Sequence, residues 1–367
     1  MFSNWSFWEI VIGYTPHMLM VIFGAGASYD SAQAFPLSRP LHGGLDSAGP
    51  WRPPLAANLF RDPNHALGHI VQRYPKLSHI LPYLREPPKG RSVEEELEFL
   101  QTQAHGNPER ARQFASVTYY LRDLLFEVSN QWRDRTSGVT NYAPLIDEIL
   151  QHNKSNEPIC LVTFNYDLLL DRALESFDYH PQSPHDQFKA HPILKLFKPH
   201  GSVDWARFVD LNPDTRLLPQ HLIERAETIQ LTDEFITISG IDPASSFPRG
   251  RTVFPVIAIP FQNKTQDTFV WPPSHLTHFL ELLPVVTKLL IIGWQAREAH
   301  FMQLLRSNLP RLRHLMVVGR DSSDAERTLS NFEVEIRKAF NPDSRYVGQG
   351  GFTQFVVNRE GQSFLEG

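Results

Sequence analysis

Short apolar runs alternate with amphipathic stretches near the start of the chain and throughout its second half. Six runs are short and apolar, and turn residues bound most of them, which predicts buried strands. They are His17–Phe23, Ile159–Phe164, Ile193–Phe197, Val253–Ile259, Lys288–Gly293 and Leu315–Gly319. Helical spacing follows several of them, for example from Leu168 to about Glu175 and onward from Pro273. Strands that alternate with helices predict an α/β fold, with a parallel sheet covered by helices on both faces.

The first half of the chain has a different pattern. Residues 35–54 are rich in proline and glycine and are predicted to be a loop. Residues 55–157 contain no convincing strand, and Ser92 with Glu95 is typical of a capping box at a helix start. We therefore predict a core formed by residues 15–54 and 158–360, with a helical insertion at 55–157. The insertion could be a lid, an assembly surface or a docking surface for a partner. The Pro-rich segment between His200 and Val253 has no clear pattern.

Composition narrows the function classes. The 367 residues carry 35 Lys and Arg against 40 Asp and Glu, a net charge of -5, which argues against a nucleic-acid partner. The single Cys160 excludes a disulfide framework and a multi-cysteine zinc site. No apolar run is long enough to span a membrane, and the first residues lack the basic region of a signal peptide. We expect a soluble cytoplasmic protein.

Polar or small residues follow five of the predicted strands. Ligands of such sheets bind beyond the carboxyl ends of the strands, so these residues are candidates for one shared site. The five clusters are Gly24–Ser28, Asn165–Asp167, His200–Ser202, Gly293–Trp294 and Gly319–Asp321.

The glycine turn supports two interpretations. Gly24 and Gly26 would allow a phosphate to approach the backbone at the start of a helix. The dinucleotide fingerprint G-x-G-x-x-G is not met, because Tyr29 stands at its last position. A tight turn between strand and helix explains the glycines equally well.

The other clusters carry side chains with possible chemistry. Asp167 is placed to cap the helix that starts at Leu168, whereas Asn165 could point into a cleft. His200 could act as a general base, although taken alone a histidine is more often structural. His275 and His278 lie three apart on a predicted helix without a third ligand, so we expect solvated side chains and no metal site.

Taken in order, these motifs resemble the sirtuin series. The motifs are Gly24-Ala25-Gly26-Ala27-Ser28, Thr163-Phe164-Asn165-Tyr166-Asp167, His200-Gly201-Ser202 and Ile291-Ile292-Gly293-Trp294. The similarity is closer to prokaryotic sirtuin-like, NAD-consuming proteins of antiphage defence. It includes Pro53-Pro54-Leu55, the extension of the histidine motif through Trp205, and the closing Gly351-Phe352-Thr353-Gln354-Phe355. It covers roughly residues 18–60 and 158–357.

The resemblance implies a Rossmann-like sheet of sirtuin type that binds NAD+ as its substrate. The diphosphate would lie on Gly24, Ala25, Gly26, Ala27 and Ser28. Asn165 and Asp167 would hold the nicotinamide ribose and carboxamide, with Gly201, Gly293 and Trp294 as further NAD-binding residues. His200 would be the base, and the products would be nicotinamide and ADP-ribose.

Two departures bear on the reaction. Deacylating sirtuins carry a four-cysteine zinc module that this chain cannot form, so no zinc is expected. The proline after the glycine turn is also displaced to Pro36. The leading interpretation is therefore an NAD+ glycohydrolase that depletes NAD during infection.

The resemblance also bears on partners. Such proteins often form homo-oligomers, and some act with a HerA-like ATPase or an Argonaute-like protein. Direct contact with nucleic acid or with a membrane is not expected. The alternatives to a glycohydrolase are a sensor that binds NAD or ADP-ribose without turnover and, less favoured, a zinc-free deacylase or ADP-ribosyltransferase.

Overall fold

A computed structural model defines the fold of most of the chain. It describes residues 18–31, 52–61, 68–88, 90–104, 106–136, 138–153, 155–212, 215–240, 247–260, 269–336, 344–348 and 350–366. The strands are β1 Met18–Phe23, β2 Ile159–Thr163, β3 Leu194–Phe197, β4 Gly201–Val209, β5 Leu231–Thr237, β6 Val253–Ile257, β7 Val286–Ile292, β8 His314–Val318 and β9 Ser344–Val347. The α-helices are α1 Ala25–Ser31, α2 Gly68–Arg73, α3 Leu81–Arg85, α4 Val93–Ala104, α5 Pro108–Thr136, α6 Tyr142–His152, α7 Leu169–Glu175, α8 Pro219–Glu224, α9 Pro273–Leu282, α10 Ala299–Asn308, α11 Ser322–Ile336, α12 Gly351–Val357 and α13 Gln362–Glu366.

Six strands form one parallel sheet in the order β3-β2-β1-β7-β8-β9. The central strand β1 is buried at every position, which explains its uninterrupted apolar sequence. Its alternate side chains enter two different cores. Met20 and Ile22 pack on the side of α9, α10 and α11, whereas Val21 and Phe23 pack on the side of α6, α7, α12 and α13. The predicted α/β fold, with helices on both faces of a parallel sheet, is confirmed.

A second sheet is antiparallel, in the order β5-β4-β6. One expectation from the sequence was wrong here. Residues 253–257 form a strand as predicted, but in this sheet rather than in the parallel one. The segment between His200 and Val253, which has no clear sequence pattern, contains β4 and β5. The pattern is unclear because β4 is buried at most positions, and charged residues interrupt the alternation expected of a half-exposed strand.

Within residues 55–157, the described part forms helices and contains no strand, as predicted. The capping box is present, since the Ser92 amide donates to the Glu95 carboxylate (2.6 Å) and the Glu95 amide to Ser92 Oγ (3.1 Å). Helices α2–α5 share an apolar core with the second sheet, which the block reaches through α5, whereas α6 packs on the parallel sheet together with Trp132 near the end of α5. The helical block therefore contributes α6 and the end of α5 to the layer that surrounds the strand ends.

Two further observations concern the sequence predictions. Of the predicted loop 35–54, residues 35–51 lie outside the described residues, as do residues 15–17 of the predicted core. No helix of the described ranges combines the length and apolar character needed to cross a membrane.

Candidate functional site

The carboxyl ends of neighbouring strands bring the predicted motifs together. Phe23, the last residue of β1, pairs with Thr163 of β2 on one side and with Ile292 of β7 on the other. The residues that follow these three positions, Gly24, Phe164 and Gly293, therefore emerge at the same edge of the sheet. Three of the five clusters expected at the strand ends therefore begin at one edge.

The glycine turn packs directly against the end of β7. The Gly24 amide donates to the Ile292 carbonyl (3.0 Å), and the Gly26 amide donates to the Gly293 carbonyl (3.1 Å). A Cβ atom on Gly24 would lie 2.5 Å from the Gly293 carbonyl oxygen, and one on Gly26 would lie 2.9 Å from Gly293 Cα. Close packing of two backbone segments thus requires both glycines. Ala25 is exposed at this turn, whereas Ala27 is buried behind it.

Asn165 lies at the centre of a buried hydrogen-bonded cluster. Its Nδ2 atom donates to Ser28 Oγ (2.9 Å) and to Tyr142 Oη (3.2 Å), and these two hydroxyls are 2.8 Å apart. The Thr163 hydroxyl accepts the Asn165 amide hydrogen (3.1 Å), which helps to turn the chain after β2. The Asn165 Oδ1 atom is buried and accepts no hydrogen bond from the described residues. The amide is held through its Nδ2 atom, while its buried Oδ1 atom is an acceptor that no described residue uses.

Tyr142 is a member of this cluster that the sequence did not indicate. It begins α6 in the helical block, and its ring contacts Phe23 and Phe352 edge-on, with centroids 5.1 and 5.5 Å away. Burial raises the pKa of its hydroxyl well above the ordinary value, so the group remains protonated. No local signal could have identified it, because its partners Ser28 and Asn165 are 114 and 23 residues away.

Asp167 lies one residue before the N-cap of α7, which is Leu168 and not Asp167 as expected. Its Oδ1 atom accepts the amide hydrogen of Leu169 (3.0 Å) at the start of α7. Burial raises the pKa of the Asp167 carboxyl, while hydrogen bonds from Leu169 and Ser28 and the charge of Lys198 act in the opposite direction. Through Ser28, the Asp167 carboxyl group adjoins the hydrogen-bonded cluster of Asn165.

His200 is buried between two aromatic side chains. The ring of Phe164 meets the imidazole edge-on, with centroids 4.8 Å apart, and Tyr166 stacks on it at 5.9 Å. These residues flank Asn165 in the sequence, so the imidazole lies beside the segment that carries the amide. The His200 carbonyl accepts the Ala258 amide hydrogen (2.8 Å), which ties the turn to the second sheet.

Gly201 and Trp294 complete the predicted set. Gly201 has φ +77°, and a Cβ atom there would lie 2.2 Å from the Val256 carbonyl oxygen. The Trp294 indole stacks on Phe164 with centroids 5.1 Å apart and an interplanar angle of 11°. Its Nε1 atom donates to Glu298 Oε2 (2.5 Å). Gly201 thus allows the chain to enter β4, and Trp294 forms part of the aromatic wall behind His200.

A buried lysine beneath these residues was also missed. Lys198 follows β3, and its Nζ atom donates to Asp171 Oδ2 (2.7 Å), Ser202 Oγ (2.8 Å) and the Asp167 carbonyl (3.3 Å). The available signal was a charged residue immediately after the apolar run 193–197. Because lysine is usually exposed, that signal alone did not indicate burial.

The structure corrects the expectation for one histidine. His275 is fully buried rather than solvated, and His278 is half-buried. The His275 Nε2 atom lies 2.7 Å from the Pro184 carbonyl, and burial lowers the pKa of the imidazole to about 4. Aromatic side chains of Phe188, Phe197 and Trp205 surround it, so it belongs to the core. In the described ranges, no group of three or more His, Cys, Asp or Glu side chains is arranged to hold a metal ion.

Comparison with known proteins agrees with the motif series. Residues 159–336 match the family model of the SIR2-like domain. This stretch runs from β2 to α11 and contains Asn165, His200 and Trp294, so the sirtuin resemblance is confirmed at the level of a SIR2-like domain. A search of curated proteins finds no match.

Among solved structures, the chain is similar to two sirtuin complexes. One is a mutant Sir2 homologue in complex with 2′-O-acetyl ADP-ribose, at 12% identity, with 95% of this chain and 94% of that chain covered and a TM-score of 0.41. The other is Sir2Tm bound to a propionylated peptide, at 11% identity, with the same shares covered and a TM-score of 0.38.

Proposed function

We propose that this chain cleaves NAD+ to nicotinamide and ADP-ribose. The observation that carries the proposal is the Asn165 side chain, whose Nδ2 atom is held by Ser28 and Tyr142 and whose buried Oδ1 atom accepts no hydrogen bond from the residues that the structure describes. A buried acceptor without a partner costs about 1–3 kcal/mol, so a ligand that donates a hydrogen to it gains that amount. The carboxamide and the ribose hydroxyls of a nicotinamide riboside are such donors.

The reaction requires positioning and charge stabilisation. The C–N bond between nicotinamide and C1′ of the ribose breaks, and the bonding electrons leave with nicotinamide, whose positive charge is thereby neutralised. A water oxygen forms the new bond to C1′ of the oxocarbenium-like ribose and loses one proton. His200 would accept that proton, and a buried imidazole beside the Asn165 segment is suited to this role. The protein mainly holds the riboside in a geometry that favours bond breaking.

The remaining predicted residues have roles in binding. Asp167 would contact the nicotinamide ribose, and the turn Gly24–Ser28 would receive the diphosphate, with the exposed Ala25 at its surface. Gly201, Gly293 and Trp294 would form the surroundings of the nicotinamide. The close packing of Gly24 and Gly26 against Gly293 supports a rigid turn at this position.

The proposed biological role is NAD depletion in bacterial antiphage defence. It rests on the motif resemblance, which also suggests a cytoplasmic homo-oligomer acting with a HerA-like ATPase or an Argonaute-like partner. The helical block is the part of the chain that such partners could use, because its described helices α2–α4 pack in the core shared with the second sheet rather than over the parallel sheet.

The test is NAD+ turnover by the purified chain. We expect the wild type to release nicotinamide and ADP-ribose in equal amounts, and Asn165→Ala and His200→Ala to lose nearly all turnover while they retain the wild-type circular dichroism spectrum. Asn308→Ala and His278→Ala, on helices α10 and α9, serve as controls and should retain activity. NAD+ binding without cleavage would instead support a sensor. Cleavage that occurs only with an acylated peptide would support a deacylase.

A further inference from the structure

Lys198 is fully buried, and its ammonium group has three acceptors within reach. They are Asp171 Oδ2, Ser202 Oγ and the carbonyl oxygen of Asp167, at 2.7, 2.8 and 3.3 Å. An ammonium group has three N–H donors, so these contacts satisfy all of them. The three hydrogen bonds therefore fix the position of the ammonium group.

The three acceptors belong to two segments of the chain, residues 167–171 and the turn at Ser202. Asp167 lies in the loop that carries Asn165, Asp171 lies in α7, and Ser202 lies two residues after His200. A backbone hydrogen bond from the Val203 amide to the Tyr166 carbonyl (3.0 Å) joins the loop and the turn at a neighbouring point. Lys198 and this backbone hydrogen bond together set the distance between the loop that carries Asn165 and the turn that carries His200.

The charge arrangement supports this role. The ammonium group lies among the carboxyl groups of Asp167, Asp171 and Asp204, and its charge favours the ionised forms of Asp167 and Asp204 against the effect of burial on their pKa. Burying a charge is costly unless partners compensate for it, and an apolar side chain of similar volume often serves packing equally well. Packing alone therefore does not explain why a fully paired lysine occupies this buried position.

We infer that Lys198 is a positioning residue, which holds the Asn165–Asp167 loop and the His200–Ser202 turn in a fixed relation for the cleavage step. This inference rests on the proposed NAD+ glycohydrolase function. Displacements of about 1 Å at a reacting centre can cost roughly 100-fold in rate, so an anchor that contacts both segments has a direct effect on turnover.

The test compares Lys198→Met with Lys195→Met in the full-length protein. Lys195 lies on β3, three residues before Lys198, is half-buried, and among the described residues donates to the His191 carbonyl (2.9 Å), so it controls for loss of a lysine near the site. We expect Lys198→Met to lower kcat by roughly 10- to 100-fold while KM for NAD+ changes by less than about threefold. Lys195→Met should match the wild type. An unchanged kcat, or a rise in KM alone, would overturn the inference.

Hydrogen–deuterium exchange provides a readout that is independent of turnover. In Lys198→Met, peptides covering residues 164–171 and 199–204 should both exchange faster than in the wild type, and in Lys195→Met neither should. If the wild type cleaves no NAD+, the proposed function fails, and exchange still decides whether Lys198 couples the two segments. Unchanged exchange in either segment would overturn that coupling.

Ser202→Ala covers the case in which Lys198→Met does not fold. It removes one of the three acceptors and leaves the Asp171 pair in place. We expect a smaller fall in kcat in the same direction, with faster exchange in residues 199–204. Full activity with wild-type exchange would count against the inference.

Discussion

Asn165 Nδ2 donates a hydrogen bond to Ser28 Oγ at 2.9 Å, across 137 residues of sequence. The bond joins the loop after β2 to the helix after β1, and Tyr142 of α6 closes the cluster from the helical block. Three segments distant in the sequence therefore determine the orientation of one amide group. The orientation matters because it leaves Oδ1 as a buried acceptor that no described residue uses.

Removal of the Tyr142 hydroxyl should impair activity more than stability. In Tyr142→Phe, Ser28 and Asn165 can still bond to each other, so we expect a loss of only about 0.5–1.5 kcal/mol in the free energy of unfolding. Turnover of NAD+ should fall at least about tenfold, because the amide loses one of its two fixed acceptors. Tyr120→Phe is the control, since its buried hydroxyl donates to the Leu59 carbonyl (3.2 Å). Equal activity of the two variants would contradict the role of Tyr142.

The contact between the glycine turn and Gly293 should be sensitive to a single methyl group. A Cβ atom on Gly293 would lie 2.3 Å from the Ala27 amide nitrogen, and the residue has φ +63°. We expect Gly293→Ala to cost about 1–2 kcal/mol for the left-handed backbone and about 1–3 kcal/mol more for overlap. Gly138→Ala separates the two effects, because Gly138 has φ +75° with open space around it. Chemical denaturation should show the larger loss for Gly293→Ala, and equal losses would exclude the overlap.

The buried carboxyl of Asp167 should make stability depend on pH. Burial raises its pKa above the ordinary 3.8, so the folded protein binds a proton more tightly than the unfolded chain. Its contribution to stability is therefore fully present below pH 3.8 and is lost as the pH rises through the raised pKa. Asp167→Asn keeps an acceptor for the Leu169 amide without the charge. Relative to this variant, the wild type should lose stability as the pH rises.

Asp321 offers a control for which stability should depend on pH in the opposite direction. It accepts the Asp324 amide hydrogen (2.8 Å) at the exposed start of α11, and this bond holds the pKa of its carboxyl below the ordinary value. Its contribution is present above the ordinary pKa and is lost as the pH falls, so Asp321→Asn should weaken the protein mainly at neutral pH. Urea midpoints from about pH 4 to about pH 8 measure both trends. Parallel curves for the wild type and Asp167→Asn would rule out the predicted shift.

The helical block should depend on one buried ion pair. On α5, Arg122 Nη1 donates to Asp123 Oδ1 (2.8 Å), and Tyr74 Oη donates to Asp123 Oδ2 (2.5 Å). Arg122 also donates to the Gly240 carbonyl, which links the helix to the chain after β5. Asp123→Ala leaves a buried guanidinium without its carboxylate, and we expect a loss of about 3–5 kcal/mol in the free energy of unfolding.

The same helix provides the matched control. Arg133 and Asp134 form an adjacent pair at 3.2 Å, but both side chains are exposed. Asp134→Ala should change the denaturation midpoint little, because water and salt screen exposed pairs. Similar midpoints for Asp123→Ala and Asp134→Ala would show that the buried pair does not stabilise the block.

Local pattern was sufficient for most strands and for the helix starts. The apolar runs at 18–23, 159–163 and 286–292 became central strands because burial on both faces requires uninterrupted apolar sequence. The capping box at Ser92 and the Asp167 contact at the start of α7 were predictable because their hydrogen bonds span only two or three residues. The second sheet was not predictable from local pattern, since charged residues such as Asp204 in β4 interrupt the alternation of apolar and polar positions that is typical of a strand.

The sequence alone placed Asn165 and His200 at strand ends, and a parallel sheet then brings those ends to one edge. Only the tertiary structure decided what surrounds them. Tyr142 reaches the site because α6 packs on the parallel sheet, and Lys198 is buried because the segment of Asp167 and Asp171 meets the turn of Ser202 at its ammonium group. Contacts within a few residues leave a pattern in the chain. Contacts between distant segments depend on packing, which no short stretch of sequence encodes.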